Sequence, residues 1–308
     1  MAGGVLRIGT RGSPLALAQT RMTRALLAAA HGLSQEAIEI VVIKTSGDMI
    51  QDRALSESGG KGLFTKELDA AMLEGSIDIA VHSSKDLPTV LPEGIVASGY
   101  LPREDVRDAF ISKSARTLAD LRPGARLGTA SLRRGAQVRR LRPDIEIALL
   151  RGNVETRLRR IEEGAFDATL LALAGLKRLG LAECAASVLE TQDFLPAVGQ
   201  GAVGITARPQ DARTLDALAP ILCADTGVAL AAERAFLAVL DGSCRTPIAG
   251  HATVRAGRVA FRGQVLRPDG SEAREISAEG AAGEAEALGR RAGEALRAQI
   301  PPGFMGAA

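Results

Sequence analysis

The sequence predicts an α/β fold with parallel-rich sheets, followed by a smaller α+β domain at its carboxyl end. Three observations carry this. Across residues 5–181, short apolar runs alternate with stretches of helical spacing, an order that pairs strands in parallel and covers them with helices. From residue 252 onward, three strand-like runs follow one another directly before a closing helix, as in an antiparallel unit. At 308 residues the chain has also reached the length at which a single core tends to divide.

Residues 5–8 (VLRI) read as a strand entering a tight GTRG loop. Ser13 can cap the next helix, with Pro14 at its first position, where a missing N–H costs nothing. That helix is expected to reach His31. Residues 38–43 form a strand, 63–74 a helix, 77–81 a buried strand and 95–98 another. Between 44 and 62 the pattern disappears. TSGDMIQDRALSESGGKG is polar, ends on glycines and is long for a connection in a compact domain, so it is expected to be a mobile flap over a cleft.

The alternation resumes after Asp108. Strands are expected at 109–111, 145–150 and 168–173, with helices at 131–141 and 153–163 and a short helical piece at 176–181. Ser131 can cap the first of these helices. From Gly199 the chain is apolar and glycine-rich (GQGAVGI), then polar through RPQDARTLDALAP. A helix at 225–240 leads to strands at 252–256, 259–266 and 272–277, the first two a hairpin candidate, and to a helix at 281–299.

Composition excludes several classes. Charged residues are 24% and the net charge is +2, too weak a field for a nonspecific polyanion binder, and nucleic acid is not an expected partner. There is no Trp, and Tyr100 is the single tyrosine, which argues against a surface of stacked bases or sugars. No apolar run reaches the ~18 residues of a membrane span, and MAGGVLRIGTRG does not read as an export signal. The three cysteines, at 184, 223 and 244, lack metal-ligand spacing and cannot all pair. A reducing cytoplasm is therefore the expected location. With only three histidines, no metal site is expected.

The chemistry-bearing residues gather at strand ends and one turn. VHSSKDLP places His82, Lys85 and Asp86 beyond the carboxyl end of a buried strand, where open α/β sheets bind ligands. A carboxylate there can hold a cationic intermediate or relay protons; it can equally pair with Lys85 or cap a turn. His82 reads as a satisfied structural histidine. Arg133 and Arg134 fall in the first turn of a helix, where cations are disfavoured unless an anion joins them. Arg151 follows the run IALL, Arg157 lies one turn into the next helix, and Arg11 follows the first strand. Such guanidinium groups suit carboxylates. Arg159 reads as half of an i,i+4 pair with Glu155. Cys244 sits in GSCRTP, a Gly- and Pro-bounded turn where a thiol can be reached and Arg245 favours its thiolate. The residues alone thus describe a cleft for a small polyanion, containing a carboxylate and approached by a cysteine. GGKG at 59–62 lacks the spacing and the preceding strand of a phosphate-binding loop.

Several segments together resemble the porphobilinogen deaminase (hydroxymethylbilane synthase) family, over essentially the whole chain. They are RIGTRGSPLALAQ (7–19), GGKGLFTKEL (59–68), VHSSKDLP (81–88), GTASLRRGAQ (128–137), LRGNVETRL (150–158), LALAGLKRLG (171–180), LPAVGQGAVGI (195–205) and GSCRTPIAG (242–250). The resemblance implies two lobes like those of periplasmic binding proteins, plus a carboxyl-terminal α+β domain. Residues 1–100 with 195–218 would form the first lobe, 101–194 the second, and 219–308 the third domain carrying the cofactor cysteine. It implies a transferase that joins four porphobilinogen molecules head to tail with loss of ammonia, then releases the linear tetrapyrrole 1-hydroxymethylbilane with water.

The implied cofactor is dipyrromethane, attached through a thioether to Cys244, and the implied catalytic carboxylate is Asp86. Ser13, Lys85, Asp86, Thr129, Ser131, Arg133, Arg134 and Arg151 match cofactor-binding positions. Arg11, Ser13, Phe64, Arg151, Arg157, Arg178 and Gln200 match substrate-binding ones. Thr45, Asp48, Gly60 and Lys61 fall on the family's flexible active-site loop. The resemblance further implies a monomer that passes its product to uroporphyrinogen-III synthase. Two departures stand out. Thr206-Ala207-Arg208 replaces a position that is often acidic, so no role of that acid carries over, and Arg245 and Thr246 lie in a variable turn.

Two other readings stay open at this stage. One is a two-lobed small-anion-binding protein without catalysis. The other is a cysteine-nucleophile acyl transferase, for which His251 is the nearest candidate base.

Overall fold

The computed structural model describes residues 6–49, 63–242 and 246–305. Among these residues the strands form three sheets. The first is built from Leu6–Thr10 (β1), Ile38–Val42 (β2), Ile79–Ser83 (β3) and Val96–Tyr100 (β4), together with a strand contributed much later in the chain. Pro14–His31 (α1) follows β1, with the Ser13 hydroxyl accepting from Ala16 N at 3.4 Å. Ser46–Met49 (α2) and Lys66–Leu73 (α3) lie between β2 and β3. The helix expected at 63–74 starts late because Leu63 O accepts from Gly47 N and Thr65 is not helical. Most of the expected flap, including Gly60 and Lys61, lies outside the described residues.

The second sheet contains Asp108–Ser112 (β5), Arg126–Gly128 (β6), Glu146–Ala148 (β7), Ala168–Ala172 (β8) and Ser187–Leu189 (β9). Leu132–Leu141 (α4) and Val154–Glu162 (α5) follow β6 and β7, and Leu173–Arg178 (α6) follows β8 directly, three residues earlier than the spacing predicts. Val203–Ala207 (β10) then returns to the first sheet, and Ala212–Leu218 (α7) is capped by Asp211, whose carboxylate accepts from Thr214 N.

The two sheets share one topology. Their orders are β2–β1–β3–β10–β4 and β7–β6–β8–β5–β9. In each, three parallel strands are followed by an antiparallel one, which is the first strand after the chain arrives from the other sheet. Segments 101–107 and 190–202 make the two crossings, so the floor of any cleft between the sheets is set by both.

The third unit packs Ala224–Val239 (α8) and Ala285–Arg297 (α9) on an antiparallel sheet of Ile248–Arg255 (β11), Arg258–Leu266 (β12) and Ala273–Ala281 (β13). Its core holds Phe236, Phe261, Leu296 and Phe304, with the Phe236 and Phe261 rings 4.9 Å apart. The helices approach closely because Gly289 lacks a side chain. A Cβ there would lie 2.0 Å from Ala232 O. The final helix begins later than expected because β13 runs to Ala281, a stretch whose Ala, Gly and Glu content gives little strand signal.

This unit holds both crossings. Glu233 is fully buried and accepts from Arg103 Nη1 and Nη2 at 2.6 and 3.0 Å, from Gly199 N at 2.8 Å and from Ala252 N at 2.8 Å. One carboxylate thereby ties α8 to the first crossing, the second crossing and the strand that follows residues 243–245.

Candidate active site

Asp86 ends a 3-10 turn, Ser84–Asp86, at the carboxyl end of β3. Its position is fixed from behind. Ser84 N donates to Ala202 O, and Gly199, at φ +75°, lies so close that a Cβ would sit 3.0 Å from both Lys85 N and the Ser84 carbonyl carbon. Only a glycine fits this backbone contact without strain. In front, an open cleft is lined by Arg11, Ser13, Gln19, Phe64, His82 and Asp86, among others. Arg11 lies 4.0 Å from the Asp86 carboxylate, and its guanidinium stacks 4.1 Å above the Phe64 ring. Ser13 reaches the cleft because it caps α1.

His82 is buried and shares a 3.1 Å hydrogen bond with the Thr206 hydroxyl. Burial, with the Arg11 charge adding to it, pushes the imidazole down to about 4, so it is neutral at physiological pH. Thr206, one of the positions departing from the family pattern, thus supports the cleft wall. Arg208 has a structural role, donating to Met72 O and Ile77 O and pairing with Asp78 and Asp211.

The cations form one connected group. Ser131 caps α4 by accepting from Arg134 N, and Thr129 accepts from Ser131 N. Arg133 and Arg134, in the first turn, are buried and meet an anion supplied by the chain itself. Asp108 accepts from Arg133 Nη2 at 2.8 Å and from Arg134 Nη2 at 2.6 Å. The expectation that this pair waits for an incoming anion is therefore corrected: one carboxylate is already in place, and the pair retains one surplus charge. Burial alone would push Asp108 up, but the two guanidinium groups overcome it and hold the carboxyl at about 2. Gln200 also donates to Asp108, at 3.1 Å, and to Val106 O, leaving its buried Oε1 without a hydrogen bond.

Lys85 is half-buried beside this cluster. Loss of water, then the Arg134 charge, push its ammonium down to about 8, with Asp86 and Asp108 opposing and Arg133 adding to the shift. Arg157, in α5, donates to Gly152 O. Desolvation and the neighbouring Arg134 and Arg151 push it down to about 10, against the pull of Asp86. Arg151 is half-buried after β7. Arg178, ending α6, donates to Gly201 O at 2.7 Å and thus reaches the second crossing. Arg159 pairs with Glu163 at 3.7 Å, one turn forward of the partner expected from its spacing.

Cys244 lies outside the described residues, as do Gly60 and Lys61. Thr45 is buried ahead of α2, and Asp48 belongs to α2. His251 lies on β11, where burial lowers its pKa. The sequence alone gives no sign of the roles of Asp108, Gln19 and Glu233. Gln19 exchanges hydrogen bonds with the Ser83 hydroxyl at 3.0 and 3.1 Å on the cleft wall.

The fold and cleft define a two-sheet α/β protein that gathers cations around a carboxylate, suited to a small ligand bearing several carboxylates. Comparison with known proteins narrows this. The family description "Porphobilinogen deaminase, dipyromethane cofactor binding domain" matches residues 6–216, and "Porphobilinogen deaminase, C-terminal domain" matches residues 228–298. A porphobilinogen deaminase of Nitrobacter hamburgensis is 58% identical over 290 residues, covering 94% of this chain and 92% of that protein. The chain belongs to the porphobilinogen deaminase family. Among solved structures, it is similar to a periplasmic substrate-binding protein of an ABC transporter from Coxiella burnetii, at 14% identity and a TM-score of 0.45, covering 70% of this chain and 91% of that one. A putative methionine-binding lipoprotein of Bacillus subtilis gives 14% identity and a TM-score of 0.43, covering 70% of this chain and 89% of the other.

Dipyrromethane carries acetate and propionate side chains, and the donor set fits it. Arg134 acts on both Lys85 and Arg157, Arg133 also acts on Lys85 and Arg151 on Arg157, with Asp86 and Asp108 as the opposing carboxylates. Five cations against two anions leave charge for a bound polycarboxylate.

Proposed function

We propose that the chain catalyses the hydroxymethylbilane synthase reaction, joining four porphobilinogen molecules head to tail and releasing the linear tetrapyrrole with water. The observation that carries this reading is the placement of Asp86: a carboxylate held from behind by Gly199, set beside Arg11 and an open cleft, with a surplus of cations alongside. Each condensation breaks the bond from the methylene carbon to nitrogen, forms a carbon–carbon bond to a pyrrole carbon and removes that carbon's proton. Loss of ammonia leaves an electron-poor methylene pyrrole. An ionised Asp86 stabilises its positive charge and can accept the pyrrole N–H.

Bound dipyrromethane would supply the terminal pyrrole to which each unit is added, tethered as a thioether on Cys244. Lys85, Arg133, Arg134 and Arg151, with Ser13, Thr129 and Ser131, would hold its carboxylates. Arg11, Arg157 and Arg178 would hold those of the substrate and the growing chain, and Phe64 and Gln200 would complete the substrate pocket. Covalent attachment makes each addition effectively intramolecular. The two lobes would shift as the chain lengthens. We place the enzyme in the cytoplasm as a monomer delivering its product to uroporphyrinogen-III synthase.

The test is turnover with purified protein. The reading requires one ammonia released per porphobilinogen consumed, with a linear tetrapyrrole as product. Asp86→Asn should lower kcat by about 100-fold or more, the scale of losing one transition-state electrostatic partner, with the fold intact. Binding of porphobilinogen without ammonia release would favour a non-catalytic anion-binding protein.

A further inference from the structure

Asp108 is the one fully buried acid in the cation cluster, and it lies outside the carboxylate chemistry ascribed to Asp86. It opens β5, the first strand after the chain enters the second sheet. Its Oδ2 accepts from Arg133 Nη2, and its Oδ1 accepts from Arg134 Nε at 3.0 Å, Arg134 Nη2 at 2.6 Å and Gln200 Nε2 at 3.1 Å. Arg133 Nη1 donates onward to Leu195 O at 2.8 Å. A single side chain therefore orients two guanidinium groups on α4 and an amide on the second crossing. Without it, two adjacent buried cations would face each other with no fixed anion, an arrangement that burial penalises heavily.

We propose that Asp108 is the positioning residue of this cleft: its carboxylate aims Arg133 and Arg134, holds the Gln200 amide and offsets part of the charge of the two guanidinium groups. The inference rests on the reading of the cleft as a polycarboxylate site. Asp108 touches no ligand in this account and acts through its neighbours. The charged groups that face the Lys85 ammonium are Asp86 on its own turn, Asp108 on β5, and Arg133 and Arg134 on α4. Two raise its proton affinity and two lower it. Removing the Asp108 charge tips that balance toward the neutral amine, which no longer attracts carboxylates. Carboxylates of a bound cofactor raise the affinity in wild type and variant alike, so the difference between the two persists.

The experiment compares holoenzyme of wild type, Asp108→Asn and Asp108→Glu, following kcat/KM for porphobilinogen from about pH 6 to about pH 9.5 at constant ionic strength. In D108N, the pH at which kcat/KM falls on the alkaline side should move down by roughly one unit or more, as expected for loss of a nearby charge. D108E, which keeps the charge but displaces it, should retain the wild-type alkaline limb while kcat falls at least roughly tenfold, the scale of a misplaced guanidinium. A D108N enzyme with the wild-type limb, whatever its absolute rate, overturns the proposal. If D108N does not accumulate as folded protein, D108E decides: wild-type kcat, or a displaced limb, counts against it. Failure of the underlying reading looks different, because wild type itself would then consume no porphobilinogen at any pH.

Discussion

Replacing Gly199 by alanine tests how the second crossing sets the position of Asp86. Gly199 has φ +75°, a conformation costing a residue with a Cβ roughly 1–2 kcal/mol. The new methyl would also sit 3.0 Å from Lys85 N and from the Ser84 carbonyl carbon, both backbone atoms that cannot rotate away. Something must shift by a few tenths of an ångström. On one side, Gly199 N is held by the buried Glu233 carboxylate; on the other, the turn leads directly to Asp86. The softer element is the turn. The expected outcome is a stability loss of about 2 kcal/mol, with kcat reduced by about tenfold or more. Urea unfolding measures the first and initial rates at saturating porphobilinogen the second. A G199A enzyme within about 0.5 kcal/mol of wild type and with unchanged kcat would show that the contact tolerates a side chain and does not set Asp86.

Further outcomes follow from the buried charges. Glu233→Ala should destabilise the protein by about 3–5 kcal/mol in equilibrium unfolding, because it strands Arg103 and leaves two buried N–H groups without an acceptor; a loss below about 1 kcal/mol would contradict this. His82, whose pKa burial lowers from 6.5 to about 4, resists protonation in the fold, whereas the unfolded chain takes up the proton. Stability contributed by neutral His82 is therefore present above pH 6.5 and is lost as pH falls toward about 4, by up to about 3 kcal/mol. Unfolding curves at about pH 7 and about pH 4.5 should show a smaller acid loss in His82→Gln than in wild type, and equal losses would sink the assignment.

The parts legible in the sequence are those set by local chemistry. Ser13 and Ser131 announced their helices because a cap is specified within three or four residues of the chain. Strands β3, β5 and β8 are legible because each buried strand carries a continuous apolar stretch. Three-residue strands such as β6 and β9 carry too few positions for any period to show. Helix α7 lies in RPQDARTLDALAP, which reads only as polar because the helix buries few of its side chains.

The cleft divides in the same way. Asp86 and the arginines at strand ends were visible because position relative to a strand end is a local property. The partner of Arg133 and Arg134 was not, because Asp108 lies 25 and 26 residues away and meets them only through the order of the second sheet. Glu233 was hidden for the same reason. Its position on an Ala-rich helix gives no sign of the four donors that converge on it.

The proposed reaction requires a covalent dipyrromethane on Cys244, extended in the cleft around Asp86. Intact mass of the denatured protein tests it most directly, with Cys244→Ser alongside. Wild type should show an excess equal to two porphobilinogen units less two ammonia molecules, absent from C244S. An unmodified wild type that gains no adduct and consumes no substrate after incubation with porphobilinogen would contradict it.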